Sequence, residues 1–351
     1  MIVINGKFLT QQLTGVQRFA LEITRELALI RKDIVIAAPH ESLLIQQIDV
    51  QNIEHIGRKG GVLWEQAELP RWLKKNGSPL LINFCNSGPL FYEPSISTIH
   101  DLATFVNPDW FSKIFAYSYQ LMLPILTKRC EILLTVSEQV KGELVEEFKV
   151  NPNKIKVIYN GLPQIFLNNL QKASPLSKKH QILAVGSFDP RKNHNLLMDA
   201  FAKLSQNEDW ELIIVGRESD LFQYKYQQLA DNVKDRIIII NNLSESELVQ
   251  LYQESEVFVS LSAYEGFGIP VLEAISNQCK VLVSDIPVFH ELFTGYVNFT
   301  KLDSESVRVG LEEIIKEKKL PISTTSLLEK FSYRKAAISI DEYINSLPSV
   351  N

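Results

Sequence analysis

Between Ser262 and Ala274 the chain reads S-A-Y-E-G-F-G-I-P-V-L-E-A. Glu265 and Glu273 have seven residues between them, Gly266, Gly268 and Pro270 among these. The run Val257–Leu261 before this stretch is apolar and reads as a buried strand, and Ile269–Asn277 after it reads as a helix. Pro270 suits the first turn of that helix, where a missing N–H costs nothing. Glycine at 266 and 268 permits backbone conformations and close approach that a side chain forbids. Several free amides at a helix N-terminus form a ready anion site. A carboxylate beside a diphosphate is electrostatically unfavourable unless it binds hydroxyls, which its two oxygens accept in a fixed geometry. The stretch therefore suits a ligand carrying both phosphates and sugar or ribose hydroxyls. The plainer alternative is a tight turn with Glu273 on a solvated helix face.

A second constellation, V-G-S-F-D-P-R-K-N-H, follows the strand Ile182–Val185. Arg191 and Lys192 then lie at the carboxyl edge of a parallel strand, where two cations suit a diphosphate; the alternative is a solvated basic pair. T-G-V-Q-R-F-A-L-E-I follows the first strand and opens a long helix. Gly15 there could bring backbone close to a phosphate, and Thr14 reads as the helix N-cap. T-I-H-D-L places His100 and Asp101 after another apolar strand. The segment 110–129 is rich in aromatic residues and carries Lys113, Lys128 and Arg129. It reads either as core or as an amphipathic helix touching a membrane.

The elements that must position these residues alternate. In the first half, Ile2–Ile4, Ile34–Ala38, Leu80–Phe84, Ser97–Ile99 and Ile132–Val136 are short apolar runs, with helical patterns such as Val16–Ile30 and Ser137–Phe148 between them. In the second half, Ile182–Val185, Glu211–Val215, Ile237–Ile240, Val257–Leu261 and Val281–Ser284 alternate with His194–Leu204, Glu245–Gln253 and Ile269–Asn277. Short apolar strands separated by helices imply an α/β chain with doubly wound parallel sheets buried on both faces. The stretch 161–179 is polar and turn-rich, and marks the break between two domains. Ligands of such sheets bind beyond the carboxyl ends of the strands, which is where the motifs fall.

E-G-F-G-I-P-V-L-E-A resembles the Glu-x(7)-Glu motif of the retaining glycosyltransferases of family 4, and the resemblance extends over nearly the whole chain. It implies the GT-B fold, two Rossmann-like domains facing across a cleft. It also implies a nucleotide-diphospho-sugar donor, no metal cofactor, and a glycan or lipid-linked oligosaccharide acceptor. By this likeness Glu265 holds donor sugar hydroxyls, and the amides of Gly266, Phe267 and Gly268, with Ile269 opening the helix, lie along sugar and phosphate. Glu273 binds the ribose and Lys192 the diphosphate. Gly15 belongs to a loop at the donor phosphates, and His100 faces the donor sugar at the reaction centre, where it could bond a hydroxyl or stabilise developing charge. Many relatives carry arginine directly after the glycine at position 186, whereas this chain has Ser187, which Arg191 would have to replace. The resemblance implies two domains: 1–165, a Rossmann-like acceptor domain completed by a returning terminal helix at 332–351 docked by Phe331 and Tyr333, and 175–331, a Rossmann-like nucleotide-sugar donor domain. The general style resembles transferases of bacterial surface polysaccharide and O-antigen synthesis, often mannosyl- or rhamnosyltransferases.

Bulk properties narrow the field further. Net charge is −5, with one net positive charge on residues 1–165 and six net negative on the rest, which disfavours a nucleic-acid partner. The mild asymmetry leaves the N-terminal domain the better suited to a peripheral contact with an anionic membrane. Three scattered cysteines suggest reduced thiols in a cytoplasmic protein. The N-terminus M-I-V-I-N-G-K-F reads as a strand and not a leader, and no apolar run is long enough to span a bilayer. There is no Asp-x-Asp to clamp a divalent cation, and neither the dinucleotide nor the P-loop glycine pattern occurs. Alternatives to a transferase are a sugar-nucleotide epimerase of the same fold and a non-catalytic sugar-nucleotide-binding scaffold.

Overall fold

The computed structural model describes residues 1–40, 52–170, 177–204, 209–216, 229, 231–318 and 323–348. The chain divides into two compact units, Met1–Pro163 with Phe331–Asn351, and Gln164–Lys330.

Among the described residues the first unit builds one parallel sheet in the order β3-β2-β1-β4-β5-β6-β7. Its strands are β1 (Ile2–Asn5), β2 (Ile34–Pro39), β3 (Ile53–Ile56), β4 (Leu80–Asn83), β5 (Ser95–Ile99), β6 (Ile132–Thr135) and β7 (Ile155–Val157). Ile2 pairs with Ile34 on one side and Leu80 on the other, so the apolar run of β1 is enclosed. Val3, Leu81, Trp64, Leu69 and Tyr92 pack one core cluster, and Ile99, Leu133, Val140 and Leu144 another. The helix Glu138–Phe148 begins where Ser137 accepts a hydrogen bond from the Val140 amide at 3.2 Å.

The second unit builds a sheet in the order β10-β9-β8-β11-β12-β13 among its described residues. The strands are β8 (Lys179–Val185), β9 (Glu211–Val215), β10 (Ile237–Ile240), β11 (Ser255–Ser260), β12 (Lys280–Ser284) and β13 (Asn298–Thr300). Every pairing is parallel, and that of β11 with β8 is irregular between Ser255 and Val257. Ile182, Leu212, Val257, Phe201 and Leu311 lie in its core.

The terminal helix Tyr333–Asn345 packs on the helix Gly15–Ile30 of the first unit. Arg31 bonds Asp341 at 2.6 Å and Asn345 at 2.7 Å, and Tyr333 meets Phe19 edge-on. The first unit ends at Pro163 against the 165 read in the sequence, the second begins at Gln164 against 175, and the returning segment begins at Phe331 against 332. Phe331 belongs to the first unit because its ring meets Tyr159 and its carbonyl accepts from the Leu162 amide at 3.3 Å. Gln164 and Ile165 belong to the second because their helix, Gln164–Leu170, seats Phe166 edge-on against Tyr252. Residues 175 and 349–351 lie outside the described residues. A side chain on Gly161 would come within 2.3 Å of the Tyr333 amide, so glycine is what lets the returning chain cross there.

Candidate functional site

In the second unit the strand order reverses between β8 and β11, and ligands of open parallel sheets bind at such a reversal. The loops leaving these two strands carry Arg191-Lys192 and the Glu265 string. They are stitched together by backbone and side chain. Ala263 N donates to Arg191 O at 2.8 Å, and Asn193 Nδ2 to Leu261 O at 2.9 Å. Asn193 takes a left-handed conformation that ends the short turn Pro190–Lys192 and starts the helix His194–Ala202.

The charged side chains meet on one carboxylate. Lys192 Nζ bonds Glu265 Oε1, Arg191 Nη1 bonds Oε2 at 3.2 Å, and Ser262 Oγ donates to Oε1 at 2.6 Å. Burial pushes the Glu265 carboxyl up, but the adjacent Lys192 and Arg191 charges, with hydrogen bonds from Lys192 and Ser262, outweigh it and bring its pKa down to about 2. Glu265 is therefore ionised throughout the working range, and each cation beside it is engaged. Arg191 also donates to Tyr264 O at 2.8 Å, which turns its guanidinium onto this loop. At the position of the missing arginine, Ser187 Oγ donates to Asp189 Oδ2 at 2.6 Å.

Beyond Glu265 the chain turns into the helix Ile269–Ser276. Gly268 has φ 102°, and a Cβ there would sit 2.7 Å from the Phe289 ring, so the turn needs glycine twice over. Among the described residues the amides of Gly266, Gly268 and Ile269 have no hydrogen-bond acceptor. They stand at a helix N-terminus whose dipole favours an anion. Phe267 is buried edge-on against Phe293. Glu273, one turn inside, is 4% exposed, so it does not stand on a solvated face.

Two residues of this site were not singled out in the sequence, although both lie in the strings quoted there. One is Ser262. The other is His194, whose Nε2 lies 3.3 Å from Gly186 O. Burial, reinforced by the Lys192 charge, lowers the His194 pKa to about 4, so the ring is neutral. Lys192, His194 and Ser262 border a cavity of about 10 Å³, room for about one water.

His100 and Gly15 belong to the first unit. His100 is buried at the end of β5, its ring edge-on to Phe19 at 4.8 Å. Its Nε2 lies 2.7 Å from the Phe84 carbonyl, so Nε2 carries the proton and Nδ1 the lone pair. Burial lowers its pKa, against the Phe84 bond and Asp101. Asp101 accepts from the Ala103 amide at 3.0 Å and braces the turn. Gly15 is exposed at the first turn of its helix; Thr14 flanks it, but its hydroxyl donates to Gln17 Oε1 and caps no amide. Among the described residues no three His, Cys, Asp or Glu side chains gather as metal ligands.

Residues 168–337 match the sequence model described as "Glycosyl transferases group 1", and residues 13–163 match "Glycosyltransferase Family 4". The chain is 34% identical over 220 residues to the O-antigen chain mannosyltransferase RfbU of Salmonella typhimurium, which takes in 62% of this chain and 59% of that one. It is 32% identical over 167 residues to the GDP-mannose:cellobiosyl-diphosphopolyprenol alpha-mannosyltransferase of Komagataeibacter xylinus, covering 47% and 42%. Each alignment spans less than two thirds of the relative's own length. Among solved structures it resembles Anabaena HepE in complex with UDP and glucose, at TM-score 0.74 and 16% identity over 99% of both chains, which shows a shared GT-B fold. The chain belongs to the family 4 glycosyltransferases.

Proposed function

We propose that this chain is a retaining, metal-independent hexosyltransferase that moves a sugar from a nucleotide-diphospho-sugar to a hydroxyl of a glycan or lipid-linked oligosaccharide in surface-polysaccharide synthesis. Mannose from GDP-mannose is the favoured donor, supported by the mannosyltransferases it resembles and by the donor named for the Komagataeibacter relative. The observation that carries the reading is the meeting of Lys192, Arg191 and Ser262 on Glu265 beside the amides of Gly266, Gly268 and Ile269, which bond no acceptor among the described residues.

In this reading the amides and Lys192 take the diphosphate and stabilise the charge that builds on it, while Glu265 turns to sugar hydroxyls. The bond from the anomeric carbon to phosphate oxygen breaks. The acceptor oxygen bonds the same face, and its proton passes to the departing phosphate oxygen. Glu273 holds the ribose, Gly15 contributes at the phosphates, and neutral His100 accepts from a sugar hydroxyl through Nδ1. The lysine and the helix amides supply the positive potential, so no divalent cation is required.

A membrane contact by the first unit is part of the proposal. The helix Lys113–Arg129 contains no acidic residue, and Ile114, Tyr117 and Leu121, spaced along one face, are 85%, 66% and 73% exposed. Lys113 and Lys128 are exposed on the same helix, which suits an anionic bilayer. No helix among the described residues is long and apolar enough to cross one.

The test incubates the protein with GDP-mannose, UDP-glucose, UDP-galactose and dTDP-rhamnose, with and without lipid-linked acceptor extract. Release of nucleoside diphosphate with a retained-anomer product supports the reading. An epimerised donor, or binding without transfer under any combination, overturns it. Co-sedimentation with phosphatidylglycerol vesicles but not phosphatidylcholine vesicles supports the membrane contact, and Leu121→Glu should abolish it.

A further inference from the structure

Between the short helix Ala103–Val106 and the helix Glu138–Phe148 the first unit has a groove of about 180 Å³. Its apolar lining is Leu102, which is buried, Phe105, whose ring meets Phe148 edge-on at 5.0 Å, and Val106, which is 52% exposed. Its other lining is acidic: Glu143, Glu146 and Glu147, spaced to share one face of their helix. Glu143 accepts from Gln139 at 2.9 Å. Glu146 and Glu147 are exposed and bond no other side chain among the described residues. The groove's lining includes no cation.

Three carboxylates three and four residues apart on one helix repel one another and weaken the helix that carries them. A cation laid against them relieves that repulsion, and burial of Val106 adds apolar area to the gain. Arginine and lysine meet both demands, because their stems cover apolar surface while the charged head stays at the carboxylates. The apolar lining is firm, since Leu102 and Phe105 continue the core built around Leu133, Val140 and Leu144. An anionic bilayer is the wrong occupant, because the same carboxylates repel it. Yet the groove adjoins the helix Lys113–Arg129: Gln120 Nε2 donates to Thr104 O at 2.9 Å, and Tyr119 and Met122 pack on the core that Leu102 shares. Integral membrane proteins concentrate lysine and arginine in loops on the side where the leaflet is anionic. Such loops are what a groove beside a bilayer-facing helix meets.

We infer that this groove docks a basic, apolar segment of a protein partner, namely a cytoplasmic loop of an integral membrane protein; the choice of a membrane partner rests on the membrane contact proposed above. Glu146 and Glu147 then select for positive charge, and Val106 with Phe105 for an apolar side chain beside it.

The test is fluorescence anisotropy on the full chain with three labelled peptides of equal length, alternating leucine with arginine, leucine with glutamate, and serine with arginine. The leucine–arginine peptide should bind the wild type, and the other two should bind more weakly. Its dissociation constant should rise roughly fivefold in the double variant Glu146→Gln, Glu147→Gln, as expected for two exposed ion pairs, and also rise in Val106→Ser. All three positions are exposed, so the variants keep the fold, and unchanged GDP binding by calorimetry checks this. No binding of the leucine–arginine peptide, equal binding of either other peptide, or wild-type affinity in both variants would each overturn the inference. Co-sedimentation of the same preparations with phosphatidylglycerol vesicles separates the two readings. Peptide binding without vesicle binding leaves a peptide-docking groove and removes the membrane partner, whereas vesicle binding without peptide binding removes the groove and leaves the membrane contact.

Discussion

Replacing Glu265 by glutamine should tighten nucleoside diphosphate binding while slowing transfer. Lys192 and Arg191 are both held by the Glu265 carboxylate. A diphosphate must draw Lys192 away, or share it, against that carboxylate. Two unit charges about 5 Å apart at an effective dielectric of about 20 repel by about 3 kcal/mol. The Lys192 and Glu265 side chains are 14% and 13% exposed, so screening removes only part of this. A net gain of about 1–2 kcal/mol for Glu265→Gln corresponds to roughly five- to thirtyfold tighter GDP binding. The sugar loses its charged acceptor, so turnover with the intact donor should fall by tenfold or more, about the value of a charge-assisted hydrogen bond. Calorimetry with GDP and single-turnover kinetics with the donor read the two effects. Lys192→Met gives the opposite sign for GDP, because it removes the cation itself. A residue that only braced the loop would lower binding and turnover together on removal. Equal or weaker GDP binding by folded Glu265→Gln therefore refutes the proposed division of labour.

Other outcomes follow from the same geometry. Glu273→Ala should raise the GDP dissociation constant about tenfold, in line with loss of one charge-assisted bond to the ribose, and unchanged calorimetry would remove that assignment. Turnover should be unaffected by excess EDTA, whereas a loss restored by Mg²⁺ would reveal a divalent ion in the reaction. Stability should fall between pH 7.5 and 5. The folded His194 pKa is about 4 against an ordinary 6.5, so the unfolded chain binds the proton first and folding loses up to about 1.4 kcal/mol per pH unit below 6.5. His100 is lowered in the same direction, while Glu265, whose pKa falls from 4.5 to about 2, affects stability only below pH 4.5. Urea melts should show a loss of about 2 kcal/mol or more by pH 5, and a flat profile would mean that these rings are not buried neutral.

The strands that could not be read from the sequence share a place in the sheet. Every interior strand was legible as an apolar run, because a parallel strand flanked on both sides and covered on both faces has little polar surface to carry. The three that escaped notice, β3, β7 and β13, are all edge strands. β3 holds Glu54 and His55, which are exposed, and β7 and β13 are three residues long with Lys156 and Asn298 among them. Where an edge strand is kept short or charged against mispairing the apolar pattern is lost, whereas the edge strand β10, four isoleucines, keeps it and was legible.

The candidate site divides along a similar line. Lys192, Glu265 and the glycines could be found because their chemistry is local: a turn, a helix start and two charges within short strings. What those strings could not convey is that the two charges meet. Positions 192 and 265 are brought together by the pairing of β8 with β11 and by the hydrogen bonds between the loops that follow, so their contact is invisible until the sheet is built. Glu65 is the extreme case. Its partners Asn5 and Lys7 come from the end of β1 and Ser87 from the loop after β4, and nothing in G-V-L-W-E-Q-A-E-L-P distinguishes a buried carboxylate from a solvated one. The sheet order makes it stand out, because it puts Glu65 at the reversal of one unit just as Glu265 stands at the reversal of the other.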